Sequence, residues 1–400
     1  MDVFVARQPI FNVHKRIHAY ELLFRTGMAN AFPDLDGETA TSSLLSSSFF
    51  TIGIEQISGG NKVFINFTED LLLHGVPTMF PAGKIMVEVL EDVNPTPEVT
   101  ESCRELVAKG YELALDDFVF SEKWRSLVAM AKVIKIDFRL TGMAEILEIV
   151  ETVKQYKCQL LAEKIETYKE FQQAKDMGFV LFQGYFFAKP EVLKNKDIPS
   201  SQLTLLQLIT EISRTEFDID KLDKLINQDV SVSYKLLKYL NSAFFYRVQP
   251  ISSIRQAIAF LGERGVRQFV SLVVASKLSE AKPTELIRTS IIRARMLELM
   301  AEELGKKDSS DFFMLGLFSL VDAMLDNTMD YVMEQLPLTT SVKDALCKRE
   351  GGMFCFLHSI ELYEIGSWDQ FDETLGSVGI APEKFPGFYL DAVGWADCSL

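Results

Sequence analysis

The segment "ELALDDF" at 112–118 ends an apolar run on two adjacent aspartates, Asp116 and Asp117. Paired carboxylates repel and raise each other's pKa unless a positive charge sits between them. Alone, such a pair also suits a turn or a helix cap. Other apolar runs in the first half of the chain carry polar residues in a similar place. They are Glu21, Asn66 in "KVFINF", Glu88 in "KIMVEVL", Lys135 in "KVIKIDF", Glu163 in "CQLLAEKI" and Gln183 in "FVLFQGYFF". Each is expected late in its strand, about one cluster to each strand–helix unit. Five carboxylates beside Asn66, Lys135 and Gln183 need counter-charge, and hard oxygen donors of this kind suit Mg²⁺ or Mn²⁺.

The elements that must position these residues follow from the apolar spacing. Up to about residue 190, short β-rich runs alternate with amphipathic stretches such as "TPEVTESCRELVAKG" (96–110) and "MAEILEIVETVKQY" (143–156). Gly110 and Gly178 stand where helix C-caps are expected. This alternation predicts parallel strands with right-handed crossovers, and so many units predict a closed, compact TIM-like (β/α) barrel. In such a barrel the C-terminal strand ends converge on one mouth. The first unit differs, because "FVARQPIFN" and "RIHAYELLFR" flank "VHK" and read as a hairpin. After the polar, Pro-containing stretch 189–202 the alternation stops. From "LTLLQLITEIS" through "SYKLLKYLNSAFF", "SIRQAIAFLG", "VRQFVSLVVASKL" and "DFFMLGLFSLVDAML", the pattern is helical. The division expected is 1–193 for the α/β barrel and 194–400 for an all-helical domain.

Composition narrows the function classes. The 400 residues carry a formal net charge of −15, against a general DNA or RNA binder, which needs a basic face. Any phosphate ligand must therefore meet local cations. The cysteines Cys103, Cys158, Cys347, Cys355 and Cys398 form no CxxC pair, so neither a disulfide framework nor a zinc site is indicated. No run approaches the ~20 apolar residues of a membrane span, so no membrane insertion and a cytoplasmic location are expected. His14, His18 and His74 have no second histidine at ligand spacing and read as surface or structural residues.

Eight segments, in order along the chain, resemble the EAL-domain family of cyclic-di-GMP phosphodiesterases. "YELLFR" (20–25) resembles its Glu-Ala-Leu signature followed by Arg, and "RQPIFN" (7–12) its opening Gln-Pro strand. "FINFT" supplies the Asn of its Asn-x-Ser-like segment, and "VEVLE" (87–91) is similar to Glu-x-Thr-Glu. "LDDF", "IKID", "LAEKIE" and "FQGYFFAKP" resemble the Asp-Asp-Phe, Lys-Ile-Asp, Ala-Glu-Gly-Val-Glu and closing Gln-Gly-Tyr segments. The resemblance implies Glu21, Asn66, Glu88, Asp116 and Asp117 as metal ligands, with Asp117 bridging two ions. It implies Glu163 as a further ligand or general base, and Lys135 as the residue that orients the attacking water. Gln183 would support the water or the guanine-proximal end, Gln8 and Arg25 would contact the ligand, and Glu91 would anchor a loop. The activity implied is metal-dependent hydrolysis of cyclic di-GMP to the linear dinucleotide; a homodimer is also compatible with it. This chain departs from the pattern after Asp117, where Phe118, Val119, Phe120 and Ser121 replace a glycine loop, and at Leu90 and Lys164. A non-catalytic cyclic-di-GMP receptor is the alternative.

"LLKYLNSAFF" and "AIAFLGERGV", within 225–270, resemble the HDOD domain, an all-helical relative of the HD phosphohydrolases. Beyond residue 200 the only histidine is His358, and Ser319 to Val321 stand where a His-Asp pair would fall. The resemblance thus implies a regulatory module that binds an unidentified protein partner and does not hydrolyse, with "YLNSAFFYR" (239–247) as one candidate contact. Asp322 and Asp326 are expected to be solvated or capping acids.

Overall fold

The turn that starts the barrel is built from one side chain. Asn12 Oδ1 accepts hydrogen bonds from the backbone N–H groups of His14 (2.9 Å) and Arg16 (3.2 Å), and Lys15 takes a left-handed conformation, φ 58°. This closes the hairpin of β1 (Phe4–Asn12) and β2 (Ile17–Arg25). The computed structural model describes residues 4–25, 57–189, 254–278, 282–306, 309–336 and 338–399.

Six more strands follow: β3 (Lys62–Phe67), β4 (Ile85–Val89), β5 (Glu112–Leu115), β6 (Val133–Asp137), β7 (Gln159–Glu163) and β8 (Leu181–Gln183). All eight close into a barrel in sequence order. Strands β2 to β8 run parallel, and β1 is antiparallel to both its neighbours, as the hairpin reading requires. The connecting helices are α1 (Glu69–Leu73), α2 (Pro97–Ala108), α3 (Arg125–Val128), α4 (Met143–Val153) and α5 (Tyr168–Asp176). Local chemistry sets their ends. Thr96 caps α2, accepting from the Val99 N–H at 3.2 Å, and Thr167 and Glu170 form a reciprocal capping box on α5. Gly110 and Gly178, at φ 90° and 99°, follow the two helices in the conformation that glycine adopts freely.

Inside the barrel a floor of apolar side chains comes from every strand: Ile10, Ala19, Phe64, Met86, Ala114, Val133, Leu161 and Leu181. Because strand side chains alternate with period two, the residue two positions further along each strand also points inward. That step defines the next layer, and it is where the polar residues fall.

Met1–Phe187 with Leu362–Trp368 form one compact unit, and Ala188–Glu361 with Asp369–Leu400 the other. The described helices of the second half are α6 (Ile254–Leu278), α7 (Thr284–Glu303), α8 (Ser309–Phe318), α9 (Val321–Leu325), α10 (Met329–Gln335), α11 (Thr340–Cys347), α12 (Gly352–Glu364), α13 (Trp368–Val378) and α14 (Phe385–Ser399). The second half is therefore helical, as its spacing predicts. The segments "LTLLQLITEIS", "SYKLLKYLNSAFF" and "YLNSAFFYR" lie outside the described residues. Helices α7 and α8 touch backbone to backbone at Gly316, where a Cβ would stand 2.4 Å from the Ala294 nitrogen. Arg293 of α7 is buried there, 3.2 Å from Ser319 Oγ and 3.7 Å from Glu361 Oε1.

Asp326 fits the capping expectation: it ends α9 in a left-handed conformation and pairs with Lys282. Asp322 departs from it. Its Oδ1 is buried without a hydrogen-bond partner among the described residues, and burial pushes its pKa up to about 6. A carboxyl raised in this way favours folding at low pH, and that contribution is lost as pH rises from about 4 through 6. Asp322→Asn should therefore raise the melting temperature of the helical half at pH 8, by the equivalent of about 1–3 kcal/mol. Near pH 4 the difference should vanish; thermal melts at both pH values measure it.

Candidate metal centre

Two residues beyond each floor member lies a polar side chain. From Ala19 the step reaches Glu21, from Phe64 Asn66, from Met86 Glu88 and from Ala114 Asp116. From Val133 it reaches Lys135, from Leu161 Glu163 and from Leu181 Gln183. On the reversed strand β1 the same step runs backwards, from Ile10 to Gln8. The strand period thus converts an apolar layer into a polar one in a single step on all eight strands. One expectation is corrected: the residues do not all fall late in their strands. Glu21 is central in β2 and Lys135 central in β6. What they share is height in the barrel, because β2 runs on past its four-residue pairing with β3, and β6 runs on to Asp137.

Lys135 holds the layer together. Its Nζ pairs with Glu88, with Glu163 at 2.7 Å, with Asp116 at 2.8 Å and with Glu21 at 3.3 Å. The lysine is 1% exposed and Glu88 is fully buried. The two amides complete the ring. Asn66 donates to Glu21 Oε1 at 3.2 Å, and Gln183 Nε2 lies 2.7 Å from Glu21 Oε2 and 2.9 Å from Gln8 Oε1.

Burial and charge pull these groups in opposite directions. Burial, then the neighbouring Glu21 charge, pushes the Glu88 carboxyl well above its ordinary range despite Lys135. Burial likewise raises Glu163. Burial would raise Asp116 too, but the Lys135 ammonium outweighs it and holds that carboxyl down. Burial would discharge Lys135, yet Asp116, Glu163, Glu21 and Glu88 together keep it firmly protonated.

Backbone bonds explain the Asp-Asp pair. The Asp116 N–H donates to the Val89 carbonyl and the Phe118 N–H to the Lys135 carbonyl, both at 3.0 Å. The chain between them turns through Asp117 at φ 38°, a conformation aspartate tolerates better than most residues. Ligand oxygens of Asp116, Asp117 and Glu163 then lie within 4.8 Å of one another. Beyond the pair the segment is packed by aromatic rings: Phe118 is buried edge-on to Phe120 (6.3 Å) and Trp124 (6.2 Å). Gln183 is fixed by a close approach. Gly184, at φ 137°, lies where a Cβ would meet the Ile165 carbonyl oxygen at 2.2 Å, so only glycine fits.

The remaining expected residues lie at the periphery. Glu91 is exposed, two residues beyond β4, with its carboxyl raised by partial burial and then by Asp116 and Asp117. Arg25 closes β2, and its side chain lies outside the described residues. Asp137 is a residue that the reading by strand ends misses. It ends β6, is 2% exposed and pairs with Lys164. Its signal is the same two-residue step, taken once more from Lys135.

The donor set fits a hard divalent cation. Buried Asn66 Oδ1, Glu88 Oε2, Asp117 Oδ1 and Gln183 Oε1 have no hydrogen-bond partner among the described residues. Buried polar atoms are rarely left unpaired, and four oxygens in one layer is the donor chemistry that Mg²⁺ or Mn²⁺ prefers.

Removing the central lysine should expose the charge it offsets. Lys135→Met should destabilise the metal-free barrel at pH 7 by about 3–5 kcal/mol. The sign with pH follows from the raised groups. Glu88 and Glu163 favour folding while protonated and lose that contribution as pH rises above about 4.3 toward their folded values. The variant's deficit should thus shrink toward pH 5, as thermal melts in EDTA from pH 5 to 8 would measure.

Residues 4–190 match the EAL domain and residues 198–352 the HDOD domain. A relative in Vibrio cholerae serotype O1, called cyclic di-GMP phosphodiesterase CdgJ, is 38% identical over 397 residues, covering 98% of this chain and 92% of the relative. The uncharacterized protein YuxH of Bacillus subtilis is 36% identical over 408 residues, covering 99% and 98%. Among solved structures, a standalone EAL protein from Vibrio cholerae O395 in its c-di-GMP bound form is 25% identical, covers 47% of this chain and 92% of its own, and has a TM-score of 0.35. Klebsiella pneumoniae BlrP1, in a calcium and cyclic-di-GMP complex, is 21% identical over 48% of this chain and 56% of its own, with a TM-score of 0.38. The ordered motifs, the barrel and a relative alike across nearly the whole length make this chain a member of the EAL-domain family, with an HDOD domain in its second half.

Proposed function

We propose that the barrel is a metal-dependent phosphodiesterase that opens cyclic di-GMP to the linear dinucleotide pGpG. The observation that carries this reading is the polar layer: acids and amides from seven strands, held by the buried lysine of the eighth, with four buried oxygens unpartnered among the described residues. A receptor with no chemistry to perform has little use for so much concentrated negative charge. The similarity to CdgJ supports the same activity.

In this reading Glu21, Asn66, Glu88, Asp116, Asp117 and Glu163 hold Mg²⁺ or Mn²⁺. Divalent ions supply Lewis acidity that activates water and offsets charge on the phosphodiester. The chain's own residues do the rest. Lys135 keeps Glu21, Glu88, Asp116 and Glu163 convergent, and through that placement orients the attacking water. Glu163, with its carboxyl raised by burial, accepts a proton from that water nearer neutral pH than an ordinary glutamate would. Gln183 keeps Glu21 and Gln8 in place through its amide. Gln8 and Arg25 contact the nucleotide, Arg25 through a phosphate, and Glu91 anchors the segment beyond β4.

We assign a regulatory role to the helical half, which binds a protein partner. Its place for a His-Asp pair is taken by Ser319–Val321, and buried Arg293 lies against Ser319. No helix among the described residues is long and apolar enough to cross a membrane. We place the protein in the cytoplasm, and a homodimer is compatible with this function. The aromatic packing after Asp117 favours a second reading, a barrel that binds cyclic di-GMP as a receptor without cleaving it.

Purified protein with Mn²⁺ or Mg²⁺ should convert cyclic di-GMP to pGpG, followed by chromatography of the products. Glu163→Gln should lower kcat by about 10²-fold or more while nucleotide binding persists. Arg25→Ala should mainly weaken binding. Nucleotide binding by the wild type without product over hours would leave the receptor and remove the enzyme.

A further inference from the structure

The polar layer is tied to a turn far along the chain. At the end of α12 the backbone closes on itself. The Ser367 N–H donates to the Leu362 carbonyl at 3.0 Å and the Gly366 N–H to the Tyr363 carbonyl at 3.1 Å, with Gly366 left-handed at φ 69°. This is the glycine-ended cap that stops a helix. It lies in the stretch Leu362–Trp368, which forms one compact unit with Met1–Phe187. Leu362, Tyr363 and Trp368 are buried, with Trp368 edge-on to Tyr363 at 5.3 Å.

Three hydrogen bonds fasten the turn within that unit. The Tyr363 hydroxyl donates to the Val5 carbonyl of β1 at 2.9 Å. The hydroxyl of Tyr185, just past β8, donates to Glu364 Oε2 at 2.7 Å. Gln8 Nε2 donates to the Glu364 backbone carbonyl at 3.4 Å. Gln8 is the member of the polar layer on β1, and its Oε1 accepts from Gln183 Nε2 at 2.9 Å. Gln183 Nε2 also donates to Glu21 Oε2 at 2.7 Å. A chain of hydrogen bonds therefore runs from Glu364 through Gln8 and Gln183 to Glu21. Its two ends set its direction, because a backbone carbonyl and a carboxylate only accept. Gln8 must turn its NH₂ to Glu364 and its oxygen to Gln183. Gln183 must turn its NH₂ to Gln8 and Glu21, which leaves its Oε1 buried and unpartnered among the described residues. Without the Glu364 end, a reversed Gln8 would set one NH₂ against another.

We propose that Glu364 is a positioning residue for the reaction in the barrel. Anchored by Tyr185, it holds the Gln8 amide against the nucleotide and, through Gln8, fixes the orientation of Gln183. This rests on the phosphodiesterase reading for its ligand. It adds a residue 179 positions beyond Tyr185 in sequence on which nucleotide binding depends.

The test uses the full chain with Mn²⁺. Glu364→Ala removes the acceptor for Tyr185 and should raise KM for cyclic di-GMP about three- to tenfold, the range of one hydrogen bond, with kcat within about twofold of wild type. A variant that merely folds less well would lose kcat through its inactive fraction and keep KM. Tyr185→Phe breaks the same bond from the other side with little change of volume and should raise KM alike. Glu364→Gln keeps an acceptor oxygen and should restore the wild-type KM. In a Gln8→Ala background, Glu364→Ala should add no further rise, because its effect passes through Gln8. The dissociation constant of cyclic di-GMP should follow the same pattern by calorimetry in a Glu163→Gln background. An unchanged KM in Glu364→Ala and Tyr185→Phe, a loss confined to kcat, or a full further rise on top of Gln8→Ala would overturn the inference and leave the phosphodiesterase reading standing. Binding without turnover by the wild type would remove that reading alone, with the dissociation constants of the same variants deciding this one. No binding of cyclic di-GMP by the wild type would overturn both.

Discussion

Like charges cannot be gathered inside a barrel without something to hold them, and here that is the ammonium of Lys135. Four carboxylates from four strands meet it, and it is 1% exposed. Water cannot screen the repulsion at that depth, so the lysine is a condition for the layer existing at all. Its charge is itself secured by the acids, since burial alone would discharge it. The acids keep the lysine ionised and the lysine keeps Asp116 ionised, which couples the stability of the barrel to the protonation of its candidate site.

The balance is incomplete, and the remainder is where function enters. Lys135 holds Asp116 down, but burial leaves Glu88 and Glu163 raised. Burial, then the neighbouring Asp116, leave Asp117 raised as well. Among the described residues, four buried oxygens of the site find no donor. A fold optimised only for stability would fill such a layer with apolar side chains, as it does one step below, at Phe64, Met86 and Leu161. The change from apolar floor to polar layer within two residues on every strand is the mark of a site whose cost is met by the rest of the barrel.

The helical half handles buried charge differently. Arg293 sits between α7 and α8 with Ser319 and Glu361, and Glu361 is also paired with Arg349. Burial would raise the Glu361 carboxyl, but the arginines outweigh it and hold it down. Here cation and anion are matched, which is the arrangement of a structural ion pair. Asp322 is the exception, with its Oδ1 buried and unpartnered among the described residues and its carboxyl raised by burial.

The sequence alone determined the class of each half, because strand and helix periods differ and the change after residue 190 is abrupt. It determined the first hairpin, through Asn12 and the short turn, and the identity of nearly every polar residue in the layer, since a charge inside an apolar run is visible without coordinates. It placed Glu21 and Lys135 wrongly as late in their strands, because strand ends depend on how far neighbouring strands pair and not on composition; both prove central. Only the tertiary structure decided who pairs with whom. That Lys135 lies among Glu21, Glu88, Asp116 and Glu163 follows from closure of the barrel, which brings residues as far apart as 21 and 163 to one height. That Asp137 and Lys164 form a second pair depends on a left-handed turn set by hydrogen bonds from other strands, and no local pattern announces it.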